Sequence, residues 1–172
     1  MKRIIPQLLA LGLAATGVCA PPAPPVEFLT KADALPLALD DSVQFRKTSI
    51  FTNDPKLAKP SINEMVNFER QRINYGAITA YDRLQRQGMY FHFFWRTKRQ
   101  SNFTVRLEYR QQNLGSYIQA QERKYNNVKG SVETNFDVKG DDYNDQGRVI
   151  AWRALIIENG KIVALNQSFL WD

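Results

Sequence analysis

The sequence predicts an all-β domain, an antiparallel sandwich or barrel, behind a short N-terminal helix or helical turns. Three observations lead there. Seven prolines stand between residues 21 and 60 and none follows Pro60. Proline lacks a backbone donor and is excluded from central strands, so residues 61–172 are free to be sheet. From Gly88 onward apolar side chains recur with a period of two, the strand period. Near the end, Asn159-Gly160 separates two strand-like runs and is the strongest two-residue hairpin signal, because a type I′ turn needs positive φ at both positions.

The chain has 172 residues, 44% of them apolar, which is enough for one core. It opens "MKRIIPQLLALGLAATGVCA": a charged start at Lys2 and Arg3, an apolar run from Leu8 to Val18, and small residues at Val18 and Ala20. Residues 1–20 read as a secretory signal cleaved after Ala20, too short to span a bilayer. The rival is a lipoprotein signal with Cys19 as acceptor, although Val18 is larger than that box prefers. Cys19 is the only cysteine. Its loss with the signal leaves no disulfide, thiolate nucleophile or thiolate metal site, and a secreted domain without disulfides relies on its core or on a partner.

Residues 21–61 read as a Pro-rich arm or linker, with a packed arm as the alternative because Phe28, Leu35, Leu37, Leu39, Phe45, Ile50 and Phe51 are apolar. Ser61 and Glu64 form an S-x-x-E capping signature ahead of a short helix that takes in Met65, Phe68 and Ile73, with strand-like alternation at Phe68, Arg70 and Arg72 as the alternative. "AITAYDRLQRQG" suits a helical turn closed by Gly88.

Four strand-like runs follow: Met89–Arg96, "NFTVRLEYR", "SYIQAQERKY" and "SVETNFDV", separated by the turn signals "RQSN", "QNLG", "NNVKG" and "KGDDYNDQG". The last hairpin, "RVIAWRALIIENGKIVALNQSFLWD", is apolar on both faces. With its tip at Asn159-Gly160, Glu158 pairs Lys161, Ile157 pairs Ile162, Ile156 pairs Val163, Leu155 pairs Ala164, Ala154 pairs Leu165, Trp152 pairs Gln167 and Ile150 pairs Phe169. A strand apolar on both sides is covered twice. One cover is the sandwich core; the other is the N-terminal arm, the segment of residues 61–87, or another protein.

Signals for chemistry are sparse. His92 is the only histidine, and it reads as a sheet histidine beside aromatics. A Ser-His-Asp triad would have to use it, and no G-x-S-x-G elbow is present. Asp142, Asn144, Gln146 and Gly147 imitate the start of a calcium loop, but its twelfth position falls on Arg153 where Glu is needed. No metal site, cofactor or enzymatic activity is therefore expected. The net charge is +6, and Lys2 and Arg3 leave with the signal, which is too little for a nucleic-acid binder. The charge is uneven: residues 69–110 hold nine basic and three acidic residues, and residues 131–145 hold five acidic residues against Lys139. Arg96, Lys98, Arg99, Arg106 and Arg110 are the candidate binding patch for an acidic partner, a glycan or an acidic protein surface. The competing reading is a solvated face that keeps strand edges apart. Aromatic side chains, 12% of the chain, could stack on sugars, but in alternating strands they are more often core.

The block from "YFHFFWR" and "VRLEYRQ" through "GDDY" to "AWRALIIENGKIVALNQSFLW" resembles a family of small exported verrucomicrobial surface proteins from a type IV pilus-like gene cluster, of the Akkermansia type. The resemblance covers roughly residues 68–172 and brings no catalytic residues with it. It implies an immunoglobulin-like antiparallel β-sandwich, here over residues 62–172. It also implies a non-enzymatic interaction or structural module, exported to the cell surface, the outer membrane or the periplasm. The implied partners are other surface or pilus-cluster proteins; a secreted glycan-binding, lectin-like domain is the alternative. A polymerising pilin carries about 20 apolar residues after its cleavage site. Here "PPAPPVEFLTKADALPLALDDS" follows instead, so the expected role is an accessory module without a transmembrane segment in the mature chain.

Overall fold

The computed structural model describes residues 22–56 and 63–171. The expected signal, residues 1–20, and Ser61 lie outside them. The described chain runs β1 (Glu27–Leu29), β2 (Val43–Asn53), α1 (Glu64–Asn74), α2 (Ala80–Gln85), β3 (Gly88–Gln111), β4 (Gln119–Lys139), α3 (Asp141–Gln146), β5 (Val149–Glu158) and β6 (Lys161–Gln167), with 3₁₀ turns at Gln112–Leu114 and Phe169–Trp171. It is an all-β antiparallel sandwich with minor helices. The strand order is β1-β4-β3-β5-β6, with β2 also on β3.

Two long strands build both layers. β3 pairs with β4 over most of its length, while its other edge is shared: β2 takes residues 88–97 and β5 takes residues 104–111. Between those stretches the β3–β4 ladder is irregular, and Ser101 faces Val128. The hairpin folds over at that corner. One layer holds β2, the first half of β3 and the second half of β4. The other holds β1, the first half of β4, the second half of β3, β5 and β6. The signals "RQSN" and "NNVKG", expected to end strands, instead form this shared corner. Asn127 has φ 56° and Gly130 φ 89°, and the Asn127 N–H donates to Asn102 Oδ1 at 2.7 Å. Bulges of this kind let a strand bend from one layer into the next.

The core lies between the layers. Phe91, Phe93, Trp95, Phe103, Val105, Leu107, Tyr109 and Ile156 are each at most 2% exposed. The Trp152 ring centre stands 6.1 Å from Phe91 and 5.6 Å from Phe93, which joins β5 to the opposite layer. At the corner Trp95 packs edge-on against Phe103 and Tyr125, at 5.5 and 5.7 Å. Buried polar atoms there need partners. The Trp95 indole donates to Thr134 Oγ1 at 2.9 Å, and the Thr134 hydroxyl donates to Tyr125 at 2.7 Å.

One side of the sandwich is sealed by side chains. β4 is an edge strand in its second half, and its carbonyls at Glu133, Asn135 and Asp137 accept from Tyr125, Arg123 and Gln121 of its own first half, at 3.4, 2.7 and 3.1 Å. Every second residue of one half reaches every second carbonyl of the other, so the edge offers fewer acceptors to a foreign strand.

The C-terminal hairpin turns where expected, with Asn159 at φ 49° and Gly160 at φ 72°. Glu158 pairs Lys161 and Ile157 pairs Ile162, but the register then shifts. Ile156 pairs Ala164, Leu155 pairs Leu165 and Ala154 pairs Asn166, one residue off the expected pairing. The bulge at Val163 delivers both Val163 and Ala164 to the main core. β6 ends at Gln167, where Ser168 exchanges hydrogen bonds with the Trp152 main chain at 2.8 and 3.0 Å. Phe169 and Trp171 therefore lie in a 3₁₀ turn rather than in a strand.

The second cover of this hairpin is the arm. Leu35 packs on Leu155, Ile157 and Ile162 of the outer face. Main-chain bonds run beside it: Ile162 N–H to the Pro36 carbonyl at 2.9 Å, Ala38 N–H to Ile162 at 2.8 Å and Asp40 N–H to Val163 at 2.9 Å. The sandwich thus reaches into the segment read as an arm or linker. β1 pairs with β4, and β2 pairs with β3 at ten positions from Val43 to Asn53. Pro36 is tolerated because it supplies only a carbonyl to the β6 edge.

α1 starts at Glu64 with Asn63 as its N-cap, the Asn63 side chain accepting from Met65 N–H at 3.0 Å. α2 has a full capping box between Thr79 and Asp82, an addition to the expected helical turn. Gly88 opens β3 instead of closing α2. A Cβ there would sit 2.4 Å from the Val138 carbonyl, so glycine is required by close approach. "KGDDYNDQG", expected as a loop, holds the single-turn helix α3, anchored by buried Tyr143, whose hydroxyl donates to Asp54 Oδ2 at 3.0 Å.

Candidate functional site

The five basic residues picked from sequence do not form one patch. Arg96 and Lys98 are exposed on β3. Arg99 is held by Asp40, Ser42 and Glu158 in a charge cluster that joins arm, corner and hairpin tip. Its pKa is pushed further up, chiefly by the hydrogen bonds to Glu158. Arg106 is 8% exposed; its Nε donates to Glu122 at 2.6 Å and its Nη1 to the Asp33 carbonyl at 3.0 Å. Arg110 and Arg153 stand over the Trp171 ring at 4.9 and 4.8 Å from its centre. Strand register explains the pairing. Glu122 lies directly opposite Arg106, and Arg153 directly opposite Glu108, whose carboxylate it meets at 2.6 Å. Opposite charges facing each other across a ladder stabilise a sheet, so these arginines are internal ties rather than a binding face.

Three arginines tie down the arm. Arg123 donates to the Pro24 carbonyl, Arg106 to that of Asp33, and Arg99 to Asp40 and Ser42. Hydrogen bonds from Ser42, then the Arg99 guanidinium, hold the Asp40 carboxyl down at about 2.

Two other surfaces are less fully used. The first is the helical segment, residues 63–87. Neither α1 nor α2 has a buried residue. Met65, Phe68, Tyr75, Ile78 and Tyr81 are 72, 59, 86, 84 and 65% exposed. The segment is nevertheless fixed. Asn53, 3% exposed, donates to Asn74 Oδ1 at 3.1 Å and to the Arg86 carbonyl at 2.8 Å, and Arg86 donates to the carbonyls of Ile73 and Tyr75. Met65 and Phe68 lie on a helix, as expected, but are exposed rather than packed.

The second surface is the outer face of the three-stranded layer. Tyr90, His92 and Phe94 line β3, with Lys47 and Ser49 beside them on β2 and Glu133 and Asn135 on β4. A cleft of about 560 Å³ runs between this face and α1, and an adjacent one of about 340 Å³ shares Arg72, His92 and Asn135 with it. His92 Nδ1 is 3.4 Å from Glu133 Oε1, and the Lys47 ammonium lies 5.8 Å from the Phe94 ring centre. Burial raises Tyr90 to about 12, with Asp137 adding to the effect.

Asp141, Asp142 and Asp145 lie on α3, where Asp141 accepts from Gln85 at 2.8 Å. Among the described residues no group of three or more His, Cys, Asp or Glu converges as a metal site, and no helix is long and apolar enough to cross a membrane. No family model matches the chain. No curated protein matches it either. A solved structure from Akkermansia muciniphila is similar at 14% identity and a TM-score of 0.46, covering 83% of this chain and 71% of that one. A likeness that distant says nothing about activity, ligands or partners.

Proposed function

We propose that this chain is an exported, non-enzymatic interaction module that docks onto other proteins of a pilus-like or outer-surface assembly. The observation that carries the reading is the exposed apolar side chains of the helical segment. Five large apolar or aromatic side chains there are each more than half exposed: Met65, Phe68 and Tyr81 on two helices that bury nothing themselves, and Tyr75 and Ile78 in the connection between them. Exposed apolar surface concentrated on one segment marks a candidate interaction site. The segment is tied to the sheet by Asn53 and Arg86, so it presents a pre-formed surface. Pre-formed surfaces bind with little ordering cost.

The test is crosslinking in the native cell followed by fractionation. The wild-type chain should be recovered from the envelope in a crosslinked complex. Phe68→Ser with Ile78→Ser should abolish that complex while leaving thermal unfolding unchanged. Recovery of the wild type from the cytoplasm, or a complex indifferent to the double substitution, overturns the reading.

A further inference from the structure

We propose that the groove over the three-stranded layer is a binding site for a short acidic oligosaccharide, one carrying a carboxylate or a sulfate. It lies on the sheet side of α1, where Met65 lines its rim, and takes in none of Phe68, Tyr75, Ile78 and Tyr81.

Three features point to this ligand. The floor presents the aromatic Phe94 beside His92, and aromatic faces are platforms for the C–H faces of sugar rings. Beside them on β4, Glu133 offers a carboxylate acceptor and Asn135 an amide that both donates and accepts, as ring hydroxyls require. The two clefts, about 560 and 340 Å³, meet at His92 and Asn135 beneath Arg72, so the groove is elongated. Each lies within the roughly 300–1,000 Å³ usual for small-ligand sites.

The charge of the ligand follows from Lys47. Its ammonium faces the Phe94 ring and pairs with no carboxylate among the described residues, whereas Arg72 is neutralised by Glu69 at 2.8 Å. An anionic substituent on a ring stacked at Phe94 would meet Lys47 directly. Glu69 and Glu133 also line the groove, and they disfavour a densely charged ligand such as a polyphosphate by like-charge repulsion.

His92 is the only histidine, so its imidazole resonances report the site without ambiguity. The full chain is titrated with a sulfated disaccharide, a uronic acid disaccharide and uncharged lactose. A saturable shift of the His92 signals is expected with at least one acidic disaccharide, about tenfold tighter than with lactose. Whichever acidic probe binds identifies the group as sulfate or carboxylate. Lys47→Gln should abolish that tenfold preference, and Phe94→Ser should weaken acidic and neutral binding alike. Both substitutions lie on the outer face, and unchanged thermal unfolding confirms intact folding. The proposal is overturned if no probe shifts His92 at millimolar concentration, if lactose binds as tightly as the acidic probes, or if either variant leaves the titrations unchanged.

Discussion

Arg106 Nη1 donates to the main-chain carbonyl of Asp33 at 3.0 Å, so a buried guanidinium in the middle of β3 ties down the arm that crosses above it. The same side chain meets Glu122 at 2.6 Å, and Glu108 passes the charge on to Arg153. This row explains how an apolar hairpin and a charged row coexist on one face. Leu155 and Ile157 are covered by Leu35, while the charges are neutralised across the strands.

Removing the cation should expose how much it matters. Arg106→Leu leaves the buried Glu122 without a counter-charge and frees the arm at Asp33. Breaking one partner of a buried pair costs about 3–5 kcal/mol. Urea unfolding should show a loss of that size, and Arg106→Leu with Glu122→Leu should regain most of it. A single variant as stable as the wild type would remove the ion pair from the account of stability.

How much of this was legible in sequence differs by element. The strands of the second half were readable because alternation and Asn-Gly chemistry are local. The bulge at Val163 was not, because it depends on which residues the far layer needs. The same holds for "RQSN" and "NNVKG". Polar turn-forming residues signal a change of direction, but they do not say whether the chain reverses or bends into a second layer. Arg99 and Arg106 looked free because their partners, Asp40 and Asp33, stand some sixty or more positions earlier in the chain. The outer-face groove was invisible for a similar reason: Lys47, Phe94 and Glu133 meet only through strand pairing.

Leu35 is the apolar plug between arm and hairpin. Leu35→Ser should cost about 1.5 kcal/mol, the low end for a buried leucine, because its side chain is half covered. Hydrogen exchange should quicken first at Ile162, whose N–H is bonded to the Pro36 carbonyl at 2.9 Å. The amides of the β3–β4 core should stay slow. Equal acceleration in both places would mean that the arm and core unfold together.

Acid should loosen the arm at its Asp40 anchor. The Asp40 carboxyl titrates at about 2 in the fold, against 3.8 for the free group, and Glu158 is likewise lowered, first by its hydrogen bonds to Arg99. Groups with depressed values stabilise the fold above their unfolded pKa and lose that contribution as pH falls through the folded value. Pepsin cleavage within residues 30–42 should therefore rise as pH drops from about 4 towards 2. Asp40→Asn should be cut faster at the upper end of that window and change less across it. A flat wild-type profile would count against the anchor.

Gly88→Ala tests close approach without any change of charge. The added Cβ would meet Val138 O at 2.4 Å and Lys139 Cα at 2.6 Å, both main-chain atoms that cannot rotate away. The start of β3 must move off β4, and overpacking of this kind costs about 1–3 kcal/mol. Calorimetry should show the lowered melting temperature, whereas alanine at Gly115, where open space surrounds the added Cβ but φ is 59°, isolates the separate effect of positive φ.

The sealed edge of β4 makes the last prediction. Arg123 and Tyr125 donate to the carbonyls of Asn135 and Glu133, and Arg123 also holds Pro24. Arg123→Ala should bare the Asn135 carbonyl and release the start of the arm, leaving an edge strand ready to pair with another chain. Tyr125→Phe removes the donor to Glu133 and leaves the buried Thr134 hydroxyl without its acceptor, at a cost of about 1–3 kcal/mol. The two variants should therefore separate: Tyr125→Phe lowers stability in urea, while Arg123→Ala chiefly raises concentration-dependent association, seen by light scattering below the melting temperature. Association that follows stability alone, with Tyr125→Phe the worse of the two, would show that edge capping has no role in keeping copies apart.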